Sequence, residues 1–92
     1  MDITKIKNRK HYNLIILDIL KDVVEKYHSM RFVQLLIASD IITYECIPSE
    51  PMERFIIKDE YYLESYDVLM RMMSKLERID KDLYEKYKEK LQ

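Results

Sequence analysis

The side chains able to do acid–base, nucleophilic or metal chemistry are few in this chain, and they are scattered. His11 and His28 are separated by a whole helix-like stretch. Neither has His, Cys or carboxylate company at metal-ligand spacing, and the His-Glu-x-x-His pattern is absent. They read as exposed helix-end residues, and a charged His28 at a helix C-terminus interacts favourably with the helix dipole. Cys46 is the one cysteine, which excludes an internal disulfide and a Cys-cluster zinc site. A nucleophilic cysteine needs a nearby base and a depressed pKa, and nothing near Cys46 in sequence supplies them, so it reads as an inert thiol. Glu53, Asp59, Glu60 and Glu64 form an acidic cluster that lacks calcium-loop spacing and the glycine such a loop requires. The 92 residues contain no glycine at all, which excludes the P-loop, the dinucleotide fingerprint and the strained nucleophile elbow. The sequence therefore predicts no catalytic residue, no metal site and no cofactor.

The tyrosines and methionines carry more information. Tyr61, Tyr62 and Tyr66 sit beside Glu60, Glu64 and Asp67, and Met70, Met72 and Met73 follow directly. Tyrosine gives contact area at low entropic cost and methionine adapts its shape, so both suit protein interfaces. On one helix Tyr62, Tyr66, Met70 and Met73 form a stripe, with Leu69, Met72 and Leu76 as its neighbour. One reading is that both stripes complete a small core. The other is that so short a chain cannot easily bury both, and that Tyr61, Tyr62, Tyr66, Met70 and Met73 bind a partner protein or a second copy of the chain.

Charge is unevenly placed around a formal net of −1. Lys5, Lys7, Arg9 and Lys10 cluster at the start, and residues 44–67 carry seven acids against Arg54 and Lys58. The basic start could touch nucleic acid, but the slightly negative total is opposite to the usual footprint. A helix-turn-helix drawn through Ser29 and Met30 would have Arg31-Phe32-Val33-Gln34-Leu35-Leu36 as its recognition helix, too apolar to read bases. No stretch reaches 18 consecutive apolar residues, so no membrane span is expected. Met1-Asp2-Ile3-Thr4 does not open a signal peptide. A lone cysteine fits a reducing compartment, and the expected location is the cytoplasm.

These residues must be positioned by helices. Residues 1–10 read as a polar arm or an early helical turn. From Asn13, apolar residues recur at Leu14, Ile16, Leu17, Leu20, Val23, Val24 and Tyr27, with Ile15 and Ile19 widening the stripe. Ser29 is the candidate cap of a second helix over residues 30–42, apolar most of the way round and so expected at the centre of the fold. Residues 43–58 are rich in β-formers around Pro48 and Pro51, and read as either an extended loop or a short hairpin. Asp59 or Ser65 opens the last helical region. From Leu69 the apolar residues Met72, Leu76, Ile79, Leu83, Tyr87 and Leu91 follow steps of three and four. One long helix over residues 66–90 is expected, with a break at Asp80 as the alternative. The fold class is thus all-α: a single domain over residues 1–92, a bundle of three or four helices with an irregular or short β-hairpin segment before the last long helix.

Two blocks, His28-Ser29-Met30-Arg31-Phe32-Val33-Gln34-Leu35-Leu36 and Asp59-Glu60-Tyr61-Tyr62-Leu63-Glu64-Ser65, together resemble a group of short uncharacterised proteins from bacteriophages and bacterial mobile elements. Those carry Arg-Phe-Gly-Gln-Leu-Leu on a helix and an Asp-x-Phe-Tyr-x-Glu-Ser/Asp block before the next. This chain departs from that pattern at Val33 and Ser29. The resemblance implies that Arg31, Gln34, Tyr62 and Glu64 act together, and a physical reading of Arg31, Gln34 and Glu64 as a structural polar cluster fits: Arg31 pairs with Glu64, and Gln34 bonds a loop backbone. It implies no activity. The function expected is a small non-enzymatic interaction protein, such as a phage or mobile-element accessory or inhibitor. A homo-oligomeric structural or regulatory protein is the alternative, and a nucleic-acid regulator using the basic arm the second.

Overall fold

A computed structural model describes residues 8–47, 54–57, 60 and 63–91, the strand residues by their backbone alone. Among them four helices form the body: α1 (Arg9–Lys26), α2 (Phe32–Ala38), α3 (Ser65–Ile79) and α4 (Lys81–Lys90). Between α2 and α3, β1 (Tyr44–Ile47) and β2 (Arg54–Ile57) run antiparallel, with Tyr44 opposite Ile57 and Ile47 opposite Arg54. The connection over residues 48–53, and the basic residues before Asn8, lie outside the described residues. No helix among those described is long and apolar enough to cross a membrane.

The core is one line from each long helix. Ile15, Ile19 and Val23 come from α1, at the i, i+4, i+8 spacing of a single helix face. Leu69, Met72, Met73 and Leu76 come from α3, with Tyr87 from α4 and Leu35 from α2. The face of α1 is rotated from the expected one: Val23 is buried, and Ile16 and Tyr27 pack against the core, as the period implies, but the centre shifts. The widening residues Ile15 and Ile19 are the buried ones, whereas Leu14, Leu17 and Val24 stay exposed. Apolar content alone could not choose between the two lines; the approach of α3 and α4 from one side did.

Paired side chains set the helix directions. Arg9 reaches Glu64 and the Tyr12 ring packs edge-on against Tyr66, 5.3 Å between centroids, so α1 and α3 start together. The α1 terminus meets Asp80 through Lys26 and Tyr27. Lys86 donates to Asp22 across 2.7 Å, which makes α4 run back along α1.

The expected single helix over residues 66–90 is therefore not formed, and the break falls at Asp80. Its backbone leaves helical geometry at φ −153°, ψ 84°. Its carboxylate accepts the Leu83 N–H at 3.2 Å, satisfying a donor that a new helix start leaves orphaned. Asp82 in the first turn and Lys88 and Lys90 in the last complement the dipole of α4. A continuous helix would run roughly 37 Å and carry Leu83 and Tyr87 away from the core. The reversal returns them to it.

The second helix is also shorter than expected and lies at the edge of the fold. Ser29 does not cap it. Arg31 holds the cap position, and its N–H donates to Gln34 Oε1 at 3.0 Å. The helix ends at Ala38 because the next turn closes on itself: Asp40 N–H bonds Ile37 O at 3.0 Å and Ile41 N–H bonds Leu36 O at 3.0 Å. This pattern needs one left-handed residue after the cap, usually glycine. In a chain with no glycine, Asp40 takes it at φ 60°, as aspartate does more readily than most residues. Arg71 from α3 then locks the turn, donating to Asp40 O at 2.7 Å, Ile41 O at 3.2 Å and Glu60 at 2.9 Å. Only Leu35 of α2 is buried.

Candidate functional site

The structure does not assemble the expected tyrosine–methionine face as an exposed surface. Met73 is buried at 6% exposure and packs in the core. Tyr66 is half-buried against Tyr12, and Met70 is half-buried beside the core. Tyr61 and Tyr62 lie outside the described residues. Of the described residues in the two stripes of α3, Leu69, Met72, Met73 and Leu76 are buried and Tyr66 and Met70 half-buried, since α1 packs on one side of the helix and the reversed α4 on another. Met72 and Met73 can then both be buried on adjacent positions of α3.

The expected Arg31–Glu64 pair is replaced as well. Both Glu64 oxygens accept from Arg9, at 2.6 and 2.5 Å, while Arg31 is exposed at the start of α2. Gln34 closes on the Arg31 backbone rather than on a distant loop. Glu64 stands at the start of α3 and Arg9 at the start of α1, so the parallel entry of these helices selects the partner. Sequence spacing carried no signal for a contact between residues so far apart in the chain.

Two polar networks join α1 to α4. In the first, buried Asp80 accepts from Lys26, Tyr27 and the Leu83 N–H. Burial pushes its pKa up; the hydrogen bonds from Lys26, Leu83 and Tyr27 and the Lys26 charge more than reverse this, leaving it below the ordinary carboxylate value. In the second, Asp22 accepts from Lys86 and from the buried Tyr87 hydroxyl. Those bonds, Lys86 first, lower the Asp22 pKa. Burial, and then the Asp22 bond, raises Tyr87 far above the ordinary phenol value. The ammonium groups of Lys86 and Lys90 also lie 5.3 and 5.0 Å from the Tyr87 ring centre, within cation–π range. Each charge in these networks is matched within the fold, so they read as staples between helices.

His11 and His28 are exposed at opposite ends of the α1 region, and the Cys46 side chain is outside the described set. Among the described residues, no group of three or more His, Cys, Asp or Glu is placed to hold a metal ion.

Among the charged side chains on the surface the fold also leaves large apolar ones uncovered. Leu14, Leu17 and Val24 are 52%, 59% and 38% exposed, at i, i+3 and i+10 on one line of α1. Phe32 and Val33, at the start of α2, are 59% and 52% exposed. The sequence placed all five in the core, and its clue was that the apolar arc of α1 was wider than one packing face needs. No protein family, curated protein or solved structure matches this chain.

Proposed function

We propose that this chain is a small protein-interaction module that acts by binding another protein rather than by catalysis, as an accessory or inhibitory factor would. The observation that supports this is the exposed apolar set on α1 and α2: Leu14, Leu17, Val24, Phe32 and Val33. A single exposed leucine needs no explanation. Two leucines and a valine on one helix line, followed by an exposed phenylalanine and valine on the next helix, match the apolar centre of a protein interface. Lys21 and Glu25 beside them on α1, both exposed, supply a mixed polar rim. The reading as an accessory factor draws on the resemblance carried by the residue 28–36 and 59–65 blocks.

The test is a double variant, Leu17→Asp with Phe32→Asp. Both side chains are more than half exposed, so the two changes together should alter stability by no more than about 1 kcal/mol. Crosslinking capture from host lysate should then lose the proteins that the unaltered chain retains. Identical capture by a folded double variant would refute the placement. Light scattering over a concentration series separates a hetero-partner from self-association through the same face.

A further inference from the structure

The turn between α3 and α4 is a single residue. Ile79 ends one helix, Lys81 begins the next, and Asp80 alone leaves helical geometry. Packed helices are usually joined by roughly two to eight residues, so this hairpin is closed over less chain than is common. Nothing in the local sequence requires the break. No glycine or proline follows Pro51, and Leu76, Ile79, Leu83 and Tyr87 keep steps of three and four across it. Ile79, on that line, is more than half exposed in the closed form.

One side chain holds the break. Asp80 caps α4 at Leu83 and binds Lys26 and Tyr27 at the end of α1. Beyond this latch, α4 grips α1 through Lys86 and Tyr87, both on Asp22, with Tyr87 in the core. Those contacts join separate helices, so they are the same whether α4 comes from its own chain or from a second copy.

We propose that the α3–α4 hairpin is a two-state element. Closed, it gives the monomer described above. Open, residues 65–90 run as one helix, and α4 of each chain docks on α1 of a second copy, with Lys86 and Tyr87 on the second copy's Asp22. The open form gives up the Asp80 cap and the bonds to Lys26 and Tyr27. It gains helical backbone bonds across the former break and keeps the other contacts of α4. A short hinge between two packed elements favours such an exchange. The exchange uses the covered side of α1, so it is independent of the exposed Leu14, Leu17 and Val24 and of any partner they bind.

The experiment refolds the full chain, Asp80→Ala, and Asp80→Ala combined with Lys81→Pro from urea, and measures mass by light scattering. Asp80→Ala removes a latch that the open form does not use, and puts the best helix former at the hinge. Each latch is worth roughly thirtyfold from its cap and its Tyr27 bond, and a dimer opens two, so dissociation should tighten roughly a thousandfold. Asp80→Ala should be monomeric at about 10 μM and dimeric at about 1 mM, where the unaltered chain stays monomeric. Lys81→Pro suits the first position of α4 and keeps residue 80 extended, but it blocks a continuous helix. The double variant should therefore stay monomeric. In a dimer mixed from isotope-labelled and unlabelled Asp80→Ala chains, NOEs should link Tyr87 of one chain to Asp22 of the other. A monomer at both concentrations, a dimer that survives Lys81→Pro, or a Tyr87–Asp22 contact that stays within one chain would overturn the proposal. The last result would place the dimer on the exposed apolar face instead. If Asp80→Ala is unfolded at the lower concentration, helicity must return at the higher one, and its absence there also overturns the proposal. Should the double variant not fold, the NOE result decides.

Discussion

Asp80 is where the fold turns, and its replacement is the sharpest test of the structural argument. Its side chain is 4% exposed and does three things: it caps α4 through Leu83, holds the Tyr27 hydroxyl and pairs with Lys26. Asp80→Ala removes the cap, worth about 1 kcal/mol. It also leaves a half-buried Tyr27 hydroxyl unpaired, at about 1 kcal/mol more. The Lys26 end is half exposed and adds little, because solvent screens it. The expected loss is about 2–3 kcal/mol, a large share of the 5–15 typical of a small domain, and a fall in Tm of roughly 10–20 °C at this length. Asp80→Asn keeps an oxygen for the cap and should cost about 1 kcal/mol. Urea unfolding followed by circular dichroism at pH 7 gives both values, and Cα chemical shifts over residues 78–83 report whether the break survives. The reasoning is refuted if Ala costs under about 0.5 kcal/mol, or if Asn costs as much as Ala. The pH dependence supplies a second readout. The Asp80 pKa is lowered by folding, so its contribution is complete above the ordinary value of 3.8 and is lost as pH falls through the lower folded value. Asp22 loses its contribution in the same acid window. Asp80→Asn should therefore flatten the acid limb of the stability curve in part, leaving the share of Asp22.

Two further outcomes follow from the other contacts. Tyr87→Phe deletes the hydroxyl held by Asp22 and should cost about 1 kcal/mol in urea unfolding. Because folding raises the Tyr87 pKa, its stabilisation is complete below the ordinary phenol value of 10.0 and falls as pH rises beyond it. The parent should thus lose more stability than Tyr87→Phe on moving from pH 9 to 11, and equal losses would count against the contact. Arg71→Ala frees the Asp40 and Ile41 carbonyls and should cost about 2 kcal/mol. Hydrogen exchange should speed up first at Asp40 and Ile41, the amides that close the α2 turn, and uniform acceleration would place the effect elsewhere.

The sequence determined the helical class of this protein, and it did so through period. Apolar steps of three and four from Asn13 to Tyr27 and from Leu69 to Leu91 leave few other ways to hide those side chains. It also marked Asp80 as a possible helix start, because an acceptor side chain followed by polar first-turn residues is a local signal. Local signals, however, do not say whether an available break is used. That depended on the gain from returning Leu83 and Tyr87 to α1, which is a contact between distant parts of the chain. The same limit explains the core. Leu14, Leu17, Ile15 and Ile19 are equally apolar in sequence, and only the side from which α3 and α4 approach makes Ile15 and Ile19 the buried pair. Met73 moved from expected surface to interior for that reason, and Phe32 is exposed because α2 lies at the edge of the fold and turns only Leu35 into the core. The turn that ends it relies on Asp40 in a left-handed conformation, a role that sequence reading assigns to glycine and that this chain, having none, gives to aspartate. Period is written into neighbouring residues, whereas the choice of face, partner and helix end is made by contacts that exist only once the helices have met.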